Sequence, residues 1–176
     1  MKRTSLLFIL LLFFGTSSFA QKMIGIGGEV SILSLRPNVR MWISRFTGFE
    51  VFGGISTEID DLKPNDLEAG FKILHTFEYD QTERLYIGFM GRWKWVNAFT
   101  SYKSTGLPIP ALIVGKEIYN RRIHLRGLAV ELGYQYGQKE YEIYTPAKHY
   151  PIGKEQFQEF PLIFNLRYTF YKKNKF

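Results

Sequence analysis

The stretch RLYIGFMGRWKW, residues 84 to 95, alternates two kinds of side chain with a period of two. Leu85, Ile87, Phe89, Gly91, Trp93 and Trp95 form one set, and Arg84, Tyr86, Gly88, Met90, Arg92 and Lys94 the other. Successive side chains of a β-strand point to opposite faces, so this is a strand with one greasy face and one that is cationic, polar or small. Period two recurs in eight segments along the chain, and no comparable helical period appears after the first twenty residues. A chain built this way closes its sheet or leaves two exposed edges, which makes an all-β barrel the leading architecture.

The segments are read as follows. Residues 23 to 33 set Ile24, Ile26, Val30 and Ile32 against Gly25, Gly27, Glu29 and Ser31, and residues 39 to 44 set Val39, Met41 and Ile43 against Arg40, Trp42 and Ser44. Residues 49 to 57 oppose Phe49, Val51 and Ile55 to Glu50, Phe52, Gly54 and Ser56. Residues 67 to 79 oppose Leu67, Ala69, Phe71, Ile73, Phe77 and Tyr79 to Glu68, Gly70, Lys72, Thr76 and Glu78. The fifth segment is the one quoted above. The sixth, 107 to 119, is apolar on both faces, so its parity, and with it the direction of Glu117, stays open. The seventh, 123 to 136, places Leu128, Val130, Leu132, Tyr134 and Tyr136 opposite Gly127, Ala129, Glu131, Gly133 and Gln135. The eighth, 160 to 171, places Phe160, Leu162, Phe164, Leu166, Tyr168 and Phe170 opposite Ile163, Asn165, Arg167 and Thr169.

The ends fix the compartment. Lys2 and Arg3 precede the apolar run LLFILLLFF, and SSFA supplies small residues before Gln21, the pattern of a signal peptide cut after Ala20. That run is shorter than the roughly 20 apolar residues a spanning helix needs. Residues 1 to 20 are therefore expected to be removed, leaving 21 to 176 as one barrel domain. No cysteine is present, so an exported chain of this kind has no disulfides and depends on packing, a closed sheet or a membrane. Charges of both signs are scattered along the sequence, which argues against a nucleic-acid surface. Three scattered histidines without cysteine give no expected metal or other cofactor site.

The connections alternate as well. RFTG, DQTE and NRR are tight, whereas 58 to 66, 97 to 106 and 137 to 159 are longer; SLRPN, after the first segment, is short and breaks the rule. Short turns on one side and longer loops on the other are the wiring of an up-and-down outer-membrane barrel. A soluble barrel alternates too, with its apolar residues inside. Two features favour the lipid-facing arrangement. Glycines gather on the polar face, where an eight-stranded barrel leaves little room. Aromatic residues Trp93, Trp95, Tyr134, Tyr136, Tyr168 and Phe170 gather toward the ends of the apolar face, as in an interfacial girdle.

The last segment, FPLIFNLRYTF, alternates apolar residues and closes on an aromatic. Here the chain resembles the small eight-stranded outer-membrane β-barrels of the outer-membrane protein A and X type. The resemblance implies an eight-stranded antiparallel up-and-down transmembrane β-barrel in the outer membrane of a diderm bacterium, bathed in outer-membrane lipid and inserted by the barrel-assembly machinery. YKKNKF follows Phe170 and departs from that terminal pattern. On this reading Glu29, Arg40, Glu50, Glu68, Lys72, Arg84, Arg92, Lys94, Glu117, Glu131 and Arg167 point inward, five acids against six bases. Such charges must pair, which predicts a salt-bridged filling ahead of an ion path.

Three functions compete. The first is a non-enzymatic barrel with a structural or surface-interaction role, and the second is a soluble periplasmic barrel holding an apolar ligand. The third is a lipid A-modifying enzyme, as some barrels of this resemblance are, which would need a nucleophile and a base at the outer leaflet. His75 falls near the wrong end, on the order of 20 Å down its strand, His124 starts a segment near the periplasm, and His149 has no serine beside it. Tyr141, Tyr144 and Tyr150 in the longest loop are candidate contacts for an extracellular partner, since tyrosines give contact area at low entropic cost. The general behaviour of loops favours a solvated hairpin extension there.

Overall fold

Alternating strands joined by short connections pair with their sequence neighbours, and a closed ring of them leaves no free edge. The computed structural model describes residues 23–57, 64–80, 82–96, 105–120, 126–144, 151–158 and 160–173, so the expected signal segment 1–20 lies outside the described residues. Ten strands are formed: β1 (Met23–Ser31), β2 (Ser34–Trp42), β3 (Thr47–Thr57), β4 (Pro64–Tyr79), β5 (Glu83–Val96), β6 (Thr105–Asn120), β7 (Arg126–Gln135), β8 (Gln138–Tyr144), β9 (Pro151–Gln158) and β10 (Leu162–Lys173). Eight of them close an antiparallel up-and-down barrel, with β1 paired to both β2 and β10. β8 and β9 pair only with each other, as a separate hairpin between β7 and β10.

Both ends of the described chain, Met23 and Lys173, lie paired at one end of the barrel together with the β2–β3, β4–β5 and β6–β7 connections. We call this the terminal end. The opposite, loop end carries the β1–β2 turn, the β3–β4 and β5–β6 connections and the β8–β9 hairpin.

The faces are inverted relative to a water-soluble barrel. Ile26, Leu112 and Leu132 on the outer face are 68%, 62% and 57% exposed, whereas Glu29, Arg40, Glu50, Lys72, Glu131 and Arg167 inside are at 0%. A register slip of one residue would turn every strand's charges outward, so this pattern fixes the register strongly. The double-faced segment is settled by its neighbours: Leu107, Ile109, Ala111, Ile113, Glu117 and Tyr119 face inward, and Leu112, Val114 and Ile118 outward. Among the described residues, no helix is long and apolar enough to cross a membrane, which leaves strands unaddressed.

Three boundaries and one bulge differ from the sequence reading. SLRPN is not a turn. It belongs to β2, Pro37 pairs with Gly28 of β1, and the connection is only Ile32 and Leu33. Proline suggested a turn because it cannot donate to a ladder, and the β2–β3 ladder indeed skips Arg36 and Pro37 while keeping its register on either side. β4 starts at Pro64, so Asp66 is in the wall rather than in a loop. In β4 a bulge follows Thr76: Glu78 comes to face Leu85 and Tyr79 to face Arg84. The bulge therefore moves Glu78 off the inner face, on which simple alternation had put it, and brings Tyr79 beside an inward-facing arginine. Finally β10 runs past Phe170 through Lys173, with Ile24 opposite Lys172, so Tyr171 and Lys172 are wall rather than tail.

Candidate functional site

An eight-stranded barrel has a bore just wide enough for side chains. Here it is filled by charge. All eight barrel strands contribute to one hydrogen-bonded cluster, through Glu29 (β1), Arg40 (β2), Glu50 (β3), Lys72 (β4), Tyr86 (β5), Glu117 (β6), Glu131 (β7) and Arg167 (β10).

Glu131 lies at its centre. One carboxylate oxygen accepts from Arg167 at 2.5 Å, from the Tyr86 hydroxyl at 2.6 Å and from Arg40 at 2.8 Å. The other accepts from Lys72 at 2.7 Å and from the Asn165 amide at 3.2 Å. Glu50 takes Arg40 Nε at 2.5 Å and Arg167 at 3.1 Å, and stands 3.0 Å from Lys72 Nζ. Lys72 also donates to Glu29. A carboxylate offers about four lone-pair directions, so Glu131, with five donors, is saturated.

Toward the loop end, Arg36 carries the cluster on. It donates from Nη1 to Glu29 at 2.8 Å and from Nε to Glu68 at 2.5 Å. Glu68 also accepts from Arg92 at 2.6 Å, and Arg92 donates to the Gln135 side-chain oxygen at 3.0 Å. The Gln135 amide in turn donates to the Phe160 carbonyl at 2.6 Å, tying β7 to the approach of β10. Lys94 and Asp66 pair at 3.0 Å near this mouth. Phe52 lies beneath Arg36 and Lys72, with ring centroid distances of 5.3 and 5.5 Å.

Toward the terminal end, Glu117 accepts from the hydroxyls of Tyr171 at 2.6 Å and Tyr119 at 2.8 Å, and from Arg167 at 3.4 Å. Arg84 is held differently. Its guanidinium stands 3.7 Å from the Trp42 ring, 4.7 Å from Tyr79 and 5.7 Å from Tyr119, and among the described residues it has no carboxylate partner.

The structure therefore places all eleven sequence-nominated charges inside the barrel, and nine of them fall in one contiguous network. Lys94 belongs to a neighbouring pair, and Arg84 to an aromatic cage. Arg36 and Asp66 were missed because Pro37 and the long loop hid their strands. With them the described interior holds six acids and seven bases. Tyr86, Tyr119 and Tyr171 were missed as hydrogen-bond donors; period-two placement on the polar face was the signal that could have found Tyr86. Trp93, Trp95, Tyr134, Tyr136, Tyr168 and Phe170 all lie on the outer face, with Tyr168 and Phe170 edge to face at 4.9 Å. Tyr141 and Tyr144 fall in β8, and Tyr150 lies outside the described residues. His75 is on the outer face, stacked on Phe46 at 6.4 Å, while His124 and His149 lie outside the described residues. Among the described residues no three His, Cys, Asp or Glu side chains converge as a metal site.

No family model matches the sequence. No curated protein matches it. Among solved structures the chain is similar to the N-terminal β-barrel domain of Pseudomonas aeruginosa OprF, with a TM-score of 0.55 and 10% sequence identity. The match covers 86% of this chain and 97% of that one. At this identity the likeness concerns the fold, and it agrees with the closed eight-stranded barrel.

Proposed function

We propose that the chain is an integral outer-membrane barrel of a diderm bacterium, exported by its first twenty residues and inserted by the barrel-assembly machinery, with a structural or surface-interaction role rather than an enzymatic one. The observation that carries this reading is the inversion of the wall: large apolar side chains stand 36 to 68% exposed around the outer face while charged ones fill the bore. In water that arrangement would leave a large apolar surface uncovered; in a bilayer it is the favourable one. A soluble barrel holding an apolar ligand needs the opposite distribution, and the charged interior offers such a ligand no pocket. The outer-face aromatics near both ends suit the two lipid–water interfaces.

The ion-paired interior acts as a plug. It crosses the bore with groups from every barrel strand, so the proposed role does not include a wide pore. Against lipid A chemistry, the one described histidine faces outward beside Phe46 at the terminal end, away from the interior serines. The test is gel mobility of the membrane fraction with and without boiling, after carbonate washing. Heat-modifiable mobility in the washed outer membrane is expected, and release into the periplasmic fraction would overturn the reading. Planar-bilayer recording of the same protein should show no large stable conductance.

A further inference from the structure

The outer wall changes character at its terminal end. β7 begins with Arg126, which stands opposite Phe170 of β10, and two residues further along β10 Lys172 stands opposite Ile24 of β1. Directly paired residues share a face of the sheet. Phe170 and Ile24 are exposed on the outer one, so both cations belong to the apolar wall, and both are exposed there. Alternation put them in place: position 172 continues the parity of Leu166, Tyr168 and Phe170, and position 126 that of Leu128 and Val130.

The charge of this patch is unanswered. Every other outward position of β1, β7 and β10 is aliphatic, aromatic or glycine, so no carboxylate shares the face with Arg126 and Lys172 on these three strands. Neither cation has an ion pair among the described residues, whereas the outward Lys116 of β6 is paired with Glu83 at 2.8 Å. Arg126 is also posed. Its guanidinium lies 5.6 Å from the centroid of the Phe170 ring, which Tyr168 meets edge to face. An arginine stacked on a ring keeps its in-plane N–H fork for a phosphate or carboxylate. Diagonal neighbours across an antiparallel pair stand roughly 7–8 Å apart, so the two long side chains can meet on one anion. Along the wall from this pair the surface is apolar, with Phe170 and Ile26 54% and 68% exposed.

We propose that Arg126 and Lys172 form a binding site for one anionic phospholipid in the leaflet at the terminal end. Its phosphate sits between the two cations, and an acyl chain runs along Phe170, Tyr168 and Ile26. The inference rests on the outer-membrane reading, which supplies the leaflet. Two observations select this occupant. A cation pair with no carboxylate calls for a net negative charge, which a zwitterionic head group cancels with its own ammonium. The pair is also continuous with the apolar face, which a soluble anion would leave unused.

The test is native mass spectrometry of the full mature chain, released from neutral detergent with phosphatidylglycerol or phosphatidylcholine added in equal amounts. One retained phosphatidylglycerol per barrel, at least fivefold preferred over phosphatidylcholine, is the expected result. Arg126→Gln with Lys172→Gln should bring the two lipids level, and Lys172→Gln alone should lower the preference part of the way, each in protein that keeps its heat-modifiable mobility. Lys116→Gln removes an equal charge outside the patch and should change nothing. A folded barrel with no preference between the lipids, a preference that survives the double substitution, or an equal loss in Lys116→Gln would each overturn the site while leaving the outer-membrane reading standing. Wild-type chain without heat-modifiable mobility would remove both.

Discussion

Glu131 shows how a barrel of this size depends on single groups. It accepts hydrogen bonds from Arg40, Lys72, Tyr86, Asn165 and Arg167, which come from four different strands. Removing one partner of a buried ion pair strands the others, at a cost of roughly 3–5 kcal/mol. Glu131→Gln keeps the volume and removes the charge, so it should lower stability by about that amount, read as the urea midpoint of unfolding in lipid vesicles. A change under about 1 kcal/mol would mean that the centre is hydrated enough to relax around the loss. A Cβ on Gly25 would stand 2.5 Å from Thr169 Cγ2 and 2.6 Å from Tyr171 Cδ1, whereas one on Gly28 would meet nothing within 4 Å. Gly25→Ala should therefore cost about 1–3 kcal/mol, and Gly28→Ala should stay within about 0.5 kcal/mol, in the same titration.

At the scale of the element, what the sequence revealed depended on whether a strand's two faces differed. β5 reads correctly residue by residue because Arg84, Arg92 and Lys94 alternate with Ile87, Phe89, Trp93 and Trp95. β6 does not, because Leu107, Ile109 and Ile113 face inward while Leu112 and Val114 face outward, and only pairing with β5 and β7 assigns them. Pro37 and the bulge after Thr76 defeated the reading for another reason: each is a local break in the ladder that the neighbouring strand tolerates, and nothing in the alternation announces it. Arg36 was lost with Pro37, and with it the link between the centre of the network and its loop end. The β8–β9 hairpin is an element of another kind, paired internally and outside the barrel ladder. Its deletion, joining Gly137 to Glu159, should leave the barrel folding and heat-modifiable. Loss of the heat-modifiable band would give the hairpin a part in assembly.

For the whole molecule, the outer face sets the solvent. Val51 lies midway along β3, facing outward between Val39 and Phe71, whereas Ile43 lies just past β2 at the terminal end. An arginine facing lipid costs about 2–4 kcal/mol at the bilayer midplane and about 0–1 near an interface. Val51→Arg should accordingly be far more destabilising than Ile43→Arg in vesicle refolding. Equal effects would mean that no bilayer surrounds the wall.

The network also bears on how the barrel can be completed. Arg167 and Glu50 are 117 positions apart, and Arg40 and Glu131 are 91 apart. β1 to β3 can pair Glu29 with Arg36 and Arg40 with Glu50, but the centre at Glu131 is completed only by groups from β2, β4, β5 and β10. A chain with β1 to β7 in place but β10 unjoined lacks Arg167, the cation that Glu50, Glu117 and Glu131 share, and its bore is half open. Such an intermediate misses the four side-chain contacts that Arg167 makes with Glu50, Tyr86, Glu117 and Glu131 in the sealed ring. The strand that seals the ring thus also brings the last cation to its centre, which favours an all-or-none transition and penalises a barrel left ajar.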